Sequence, residues 1–85
     1  MGTVAIVKNL AFMIHTRGEH NPPHLEVYYG TPGNYEAWAK VRIDKVEILE
    51  SQGFSSGDLD EILRITQGRQ RFFSKKWSEL NGTEL

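Results

Sequence analysis

The sequence has no cysteine and no long apolar run. Its 85 residues therefore cannot form a disulfide framework, a thiol nucleophile or a cysteine-based zinc site. No apolar stretch approaches the roughly 18 residues that a transmembrane helix needs. Residues 1–8 have neither a charged lead nor a full-length apolar segment, so they indicate a strand and not a signal peptide. We expect a cytoplasmic protein that does not span a membrane.

The sequence also has no large excess of positive or of negative charge. The formal net charge is −1, which gives the chain no general attraction to nucleic acid or to an anionic membrane. The hydrophobic content of 39% and the charged content of 25% are ordinary for a folded protein. A chain of this length can bury one core, so we predict a single α+β domain over residues 1–85.

Alternating apolar and polar residues predict a sheet within residues 3–50. Period-two alternation is typical of a half-buried strand, and turn-forming residues separate the alternating segments. Lys8-Asn9 is a predicted tight turn, residues 16–23 a loop, and residues 30–34 a hairpin turn. The result is a four- or five-stranded antiparallel sheet, with predicted strands at 4–7, 10–15, 24–29, 35–43 and 46–49.

One long helix is predicted over residues 55–81. Ser55 is suited to the N-cap and Asp58 to the third helical position, while Phe54 and Leu59 can form a hydrophobic staple. A straight helix of this length would overhang the sheet unless Gly68 bends or breaks it. Its apolar stripe, which we expect to pack on one face of the sheet, consists of Leu59, Ile62, Leu63, Thr66, Gln70, Phe73, Trp77 and Leu80.

The most crowded polar stretch is His20-Asn21-Pro22-Pro23-His24-Leu25-Glu26-Val27. Its two prolines fix their own backbone angles and pre-set the direction in which His24 enters the next strand. The predicted cross-strand pairs are His15 with His24, Met13 with Glu26, Glu26 with Trp38, and His24 with Lys40. One sheet face then gathers an aromatic and titratable set typical of binding surfaces: Met13, His15, His24, Glu26, Tyr28, Trp38 and Lys40.

The order of these features resembles domain-of-unknown-function family 4160, a family of small bacterial proteins. The resemblance rests on residues 21–27, on Gly53-Phe54-Ser55 before the helix, and on Trp77. Family members usually carry a second histidine two positions after the one that follows the prolines, where this chain has Glu26. The resemblance implies a small α+β domain, often encoded beside another small protein and suspected of belonging to toxin–antitoxin-like pairs.

Two chemical uses of the histidines are open. His15, His24 and Glu26 are acceptable zinc ligands, but cross-strand hydrogen bonds are the simpler interpretation. His20 and His24 are candidates for an acid–base pair in phosphodiester cleavage, although no nucleophile or phosphate cradle accompanies them. We therefore predict neither a metal nor a cofactor.

The helix offers a second candidate surface. Ile65 and Phe72 lie off the main stripe, and together with an overhanging Trp77 they would form an exposed apolar strip. A homodimer through the helix, or another protein docked there, would cover it. We expect the basic residues Arg64, Arg71 and Lys75 to form a solvent-exposed face of the helix.

We therefore expect a binding or regulatory module that acts through a protein partner. One alternative is a small nuclease-like toxin that uses His20, His24 and Lys40. The other is a module that binds a small anionic or nucleotide ligand on the face that carries Trp38.

Overall fold

The computed structural model describes residues 2–14, 23–31 and 33–81. Within these ranges the chain forms an antiparallel sheet with strand order β1-β2-β3-β4-β5, followed by two helices. The predicted α+β class and antiparallel sheet are confirmed. The elements are β1 Gly2–Val7, β2 Leu10–Ile14, β3 His24–Thr31, β4 Asn34–Arg42, β5 Glu47–Gln52, α1 Ser56–Gly68 and α2 Gln70–Asn81.

The predicted turn between β1 and β2 is present. Lys8 and Asn9 both have positive φ, of 52° and 69°. Positive φ at both central residues matches the right-handed twist of the two strands that the turn joins. This turn fixes the first hairpin with Val7 opposite Leu10.

The register between β3 and β4 differs from the predicted one by two residues. Glu26 lies opposite Lys40, and not opposite Trp38, whose partner is Tyr28. The strands extend to Thr31 and Asn34, so the loop between them is shorter than predicted. Because side chains alternate with a period of two, this even shift keeps Glu26, Tyr28, Trp38 and Lys40 on their predicted face. The predicted pairing of Met13 with Glu26 between β2 and β3 is confirmed.

The core lies between one sheet face, here called the inner face, and the two helices. Phe12 of β2 stacks on Phe73 of α2 with ring centroids 5.5 Å apart. Thr66 is fully buried, and its hydroxyl donates a hydrogen bond to the Ile62 carbonyl at 2.8 Å, which satisfies the polar atom inside the core. The remaining buried members of the cluster are Leu10, Ile14, Leu25, Val27, Ala39, Val41, Ile43 and Trp77.

The start of α1 is the predicted one. Ser55 is the N-cap, and its hydroxyl accepts a hydrogen bond from the Asp58 amide at 3.1 Å. The Asp58 carboxylate accepts one from the Ser55 amide at 3.2 Å, which completes a capping box. Phe54 and Leu59 are both partly buried against the core, as a hydrophobic staple requires.

The single long helix is wrong, because the helical segment breaks at Arg69. Arg69 has φ −119° and ψ 21°, outside the helical region, and its amide donates to the Ile65 and Thr66 carbonyls. The two resulting helices of 13 and 12 residues are each roughly 20 Å long, which is short enough to fit a sheet of this size. Trp77 is consequently only 1% exposed and does not overhang the sheet.

Gln70, the first residue of α2, fastens the helix to the turn between β4 and β5. Its side-chain amide donates to the carbonyls of Ile43 at 2.9 Å and Asp44 at 3.0 Å. The same turn contains Val46 at φ 51°, an unfavourable conformation for a β-branched residue. The Gln70 contacts help to hold the turn in this conformation.

No helix within the described ranges is long and apolar enough to cross a membrane.

Replacing Gly53 with alanine should destabilise the fold by at least about 1 kcal/mol. Gly53 has φ +89°, and an added Cβ would lie 2.9 Å from the Glu36 carbonyl oxygen and 3.0 Å from the Ala37 Cβ. The matched control is Gly57→Ala in α1, where an added Cβ comes no closer than 3.9 Å to a neighbouring atom. Urea denaturation measures both changes, and equal stabilities for the two variants would contradict the close approach of Gly53 to β4.

Candidate functional site: the outer face of the sheet

The candidate site is the sheet face that points away from the helices, here called the outer face. The strand registers align its side chains in two rows that cross β2, β3, β4 and β5. The first row contains aromatic groups and the second contains charged groups. The first row is Ala11, Tyr28, Trp38 and Gln52, and the second is Met13, Glu26, Lys40 and Glu50.

Three aromatic side chains form a cluster on this face. Tyr28 and Trp38 are directly opposite each other on β3 and β4. The Tyr35 ring lies against the Tyr28 ring, with centroids 5.1 Å apart and planes tilted by 52°. The Trp38 indole nitrogen donates a hydrogen bond to the Gln52 side chain at 3.0 Å, which fixes its orientation. We call Tyr28, Tyr35 and Trp38 the aromatic cluster.

A β-bulge brings Tyr35 to the outer face. The sequence alternation predicts that Tyr35 shares the inner side with Ala37. In the structure Gly30 pairs with Tyr35 while Tyr29 pairs with Ala37, so Glu36 is an extra residue in β4. One extra residue reverses the alternation, which directs Tyr35 toward Tyr28. Sequence reasoning missed Tyr35 as a site residue because nothing in the alternation marks the extra residue.

The Tyr28 hydroxyl donates a hydrogen bond to the Glu26 carboxylate two residues earlier on the same face. Burial of the phenol raises the pKa of Tyr28 well above its ordinary value of 10.0, and the bonded, negatively charged Glu26 raises it further. Tyr28 is therefore a neutral hydrogen-bond donor over the whole physiological range.

The cations near the aromatic cluster are matched by carboxylates. Lys40 lies 3.5 Å from Glu50, its cross-strand neighbour. The Arg42 guanidinium holds Asp44 through two hydrogen bonds, of 2.6 and 3.1 Å. The bonded guanidinium lowers the pKa of Asp44. The charges of the outer face are thus largely balanced within the chain.

His24 lies in a different environment from the one predicted. It is 6% exposed, and its ring centroid is 5.8 Å from that of Trp77 in α2. His24 is the first residue of β3, so its side chain lies at the end of the sheet, where α2 reaches it. The predicted pairing of His24 with Lys40 is wrong, since His24 lies opposite Arg42, and its ring packs against Trp77. Its neighbour Pro23 is also buried and accepts a hydrogen bond from the Ile43 amide at 3.0 Å.

The two other histidines, His15 and His20, lie outside the described residues. The predicted zinc set of His15, His24 and Glu26 and the predicted acid–base pair of His20 and His24 are therefore not tested. Within the described ranges, no group of three histidine, aspartate or glutamate residues is placed to hold a metal ion.

The predicted exposed strip on the helix is not continuous. Ile65 is partly buried and packs against the core, and Trp77 belongs to the core itself. Phe72 is 40% exposed, with its ring edge-on to Phe73 at 5.6 Å and the Lys76 ammonium 5.8 Å from its centroid. Of the three residues in the strip, only Phe72 has the predicted exposure.

A concave feature on the helix side was not foreseen from the sequence. A cleft of about 520 Å³ lies between the β1–β2 turn and the start of α1. Lys8 and Glu61 close one side with an ion pair of 3.3 Å. Its other lining residues are Asn9, Leu10, Tyr29, Phe54, Gly57 and Asp58.

The fold and the outer face together define a small α+β protein with an aromatic, charge-balanced sheet surface. The family model described as "Domain of unknown function (DUF4160)" matches residues 9–78, and the chain belongs to this family. The resemblance drawn from residues 21–27, the Gly-Phe-Ser segment and Trp77 is thereby confirmed. No curated protein and no solved structure shows a significant match to the chain.

The two tryptophans should differ strongly in their effect on stability. Trp77→Ala should lower the free energy of unfolding by roughly 3–5 kcal/mol, since Trp77 is a fully buried core residue. Trp38→Ala should cost much less, because Trp38 lies on the outer face and is only partly buried. Chemical denaturation of the two variants gives the comparison. A Trp38→Ala variant as unstable as Trp77→Ala would show that the outer face is a second core.

The Tyr28 phenol should ionise later than an ordinary tyrosine. In an absorbance titration of the folded protein, the step that is lost in Tyr28→Phe should lie well above pH 10, and Glu26→Gln should lower it. A raised folded-state pKa contributes stability that is fully present below pH 10 and is lost as the pH rises toward the folded-state value. Ionisation of the Tyr28 phenol near pH 10, as in an ordinary tyrosine, would contradict the contact with Glu26.

Proposed function

We propose that this protein is a binding or regulatory module that contacts a partner protein through the outer face. The observation that carries the proposal is the aromatic cluster of Tyr28, Tyr35 and Trp38 on the β3–β4 part of the outer face, where Tyr35 is 45% exposed and Tyr28 and Trp38 are partly buried. Tyrosine and tryptophan combine a large apolar area with a polar group, and both are enriched at protein interfaces.

The geometry of the cluster favours binding at a low entropic cost. The Gln52 contact orients Trp38, and the contacts with Glu26 and Tyr35 orient Tyr28. Side chains that are already held in one conformation lose less freedom when a partner covers them. Tyr35 is 45% exposed and gives a partner additional apolar surface beside these fixed rings.

The balanced charges favour a protein partner over a small anion. Lys40 and Arg42 are the cations of β4, and each already contacts a carboxylate of the same chain, Glu50 or Asp44. A small anionic or nucleotide ligand would have to displace these contacts. A protein surface with its own mixed charges can instead extend them, which supports specificity at the rim of an interface.

The other candidate functions have less support. The nuclease-like alternative needs an accessible His24, and this residue is almost fully buried against Trp77. A homodimer through the helices needs an exposed strip, and Ile65 packs against the core. The family resemblance supplies the further proposal that the partner is a second small protein of a toxin–antitoxin-like pair in the bacterial cytoplasm.

Affinity capture from the native host, followed by binding measurements with the purified partner, tests the proposal. The double variant Tyr35→Ala/Trp38→Ala should weaken binding by at least tenfold, since exposed aromatic anchors dominate interface energies. The matched control is Phe72→Ala, which removes an exposed aromatic residue from α2 and should leave the affinity unchanged.

Two results would contradict this assignment. The first is a partner that binds the double variant and the wild type equally well. The second is a partner whose binding Phe72→Ala weakens more than the double variant does. Circular dichroism of each variant should accompany the assay, so that a loss of fold is not taken for a loss of contact.

A further inference from the structure

The cations of the helical layer are unevenly distributed. Residues 55–68 carry Asp58, Asp60, Glu61 and Arg64, which gives one positive and three negative charges, a net −2. Residues 69–81 carry four cations, Arg69, Arg71, Lys75 and Lys76, and one anion, Glu79, a net +3. A chain with a net charge of −1 therefore has a strongly positive segment that begins at the helix break.

Five of the nine cations in the described ranges have a carboxylate partner. Lys8 and Arg64 both contact Glu61, at 3.3 and 2.8 Å. Lys76 contacts Glu79 at 3.4 Å. Lys40 and Arg42 are paired on the outer face. Among the described residues, the cations without a carboxylate partner are Lys45, Arg69, Arg71 and Lys75.

The fold places these four cations on neighbouring elements. Arg71 and Lys75 are one turn apart on the exposed side of α2, and Arg69 occupies the break immediately before the helix. Lys45 lies in the β4–β5 turn, which is fastened to the start of α2 by the Gln70 hydrogen bonds to Ile43 and Asp44. We call Lys45, Arg69, Arg71 and Lys75 the basic patch.

An exposed aromatic ring lies beside two of these cations. Phe72 is 40% exposed and, together with Arg69 and Arg71, lines a shallow concavity at the helix break. Unpaired cations beside an exposed aromatic ring are the combination that single-stranded nucleic acid requires, because phosphates pair with the cations and a base stacks on the ring. Guanidinium groups such as those of Arg69 and Arg71 are well suited to phosphate oxygens.

We propose that the basic patch binds the phosphate backbone of single-stranded RNA, with Phe72 as a stacking platform for one base. An acidic peptide would satisfy the cations but would make no use of the exposed ring. The proposal concerns a different surface from the outer face and does not depend on the partner-binding function.

Fluorescence anisotropy of a labelled oligouridine, titrated with the full chain at low salt, measures the binding. Four phosphate contacts predict that log K falls with log salt with a slope of about −3. Arg71→Gln/Lys75→Gln should weaken binding by at least about tenfold and reduce the slope to about −1.5. Phe72→Leu should weaken it by up to about tenfold with little change in slope, because stacking is not a charge effect.

The matched control is Lys8→Gln/Arg64→Gln, which also removes one lysine and one arginine from exposed positions. Both residues lie outside the basic patch, in the β1–β2 turn and in α1, so this variant should retain wild-type affinity within about twofold. Thermal unfolding of both double variants verifies that each remains folded.

Three outcomes would overturn the proposal. One is the absence of binding at low salt. Another is an equal loss in the control variant, which would show that only the overall charge matters. The third is binding of polyglutamate as tight as that of oligouridine and equally sensitive to Arg71→Gln/Lys75→Gln, which would assign the patch to an acidic peptide.

Discussion

The packing of both helical halves on the inner face depends on the break at Arg69. A straight helix over residues 55–81 would be roughly 40 Å long, beyond the reach of strands that are five to nine residues in length. The break keeps the second half over the sheet, where Phe73 stacks on Phe12 and Trp77 contacts His24. Gln70 then joins the new helix start to the β4–β5 turn.

The same constraint determines which groups remain outside the core. Because α2 buries Phe73 and Trp77, Arg71 and Lys75 must lie on its exposed side. His24, which the sequence analysis placed in the candidate site, packs against Trp77. Binding at the outer face therefore depends on its aromatic residues. Chemistry that would require His24 at the surface has little support from this packing, whereas binding through Tyr28, Tyr35 and Trp38 is compatible with it.

Local patterns predicted much of the fold because each reports a short-range physical requirement. The capping box at Ser55, the positive-φ turn at Lys8 and Asn9, and the period-two strands all depend on neighbouring residues. The sequence indicated a break at Gly68 only as an alternative to one continuous helix, because the apolar spacing continues through it: Thr66, Gln70 and Phe73 keep the helical period. Gly68 marked the place, but a glycine in a helix does not by itself indicate a break.

The candidate site was harder to predict because it depends on register. One extra residue at Glu36 moves Tyr35 to the other face of the sheet. A hairpin loop shorter than predicted shifts the register, so that Glu26 pairs with Lys40 and Trp38 pairs with Tyr28. Neither change alters composition or alternation enough to be visible in the sequence. His24 was misplaced for a related reason, since the direction of a side chain at a strand end depends on what packs there.

The two proposed surfaces differ in the source of their binding energy. On the outer face the cations are already paired, so affinity must come mainly from covering Tyr28, Tyr35 and Trp38, which salt affects little. On α2, Arg71 and Lys75 lack carboxylate partners among the described residues, so affinity must come mainly from counterion release, which salt suppresses. Since the two surfaces lie on opposite sides of the sheet, a partner protein and a nucleic acid could bind at once without sharing a residue. Ionic strength would then change the occupancy of α2 while leaving the outer face occupied.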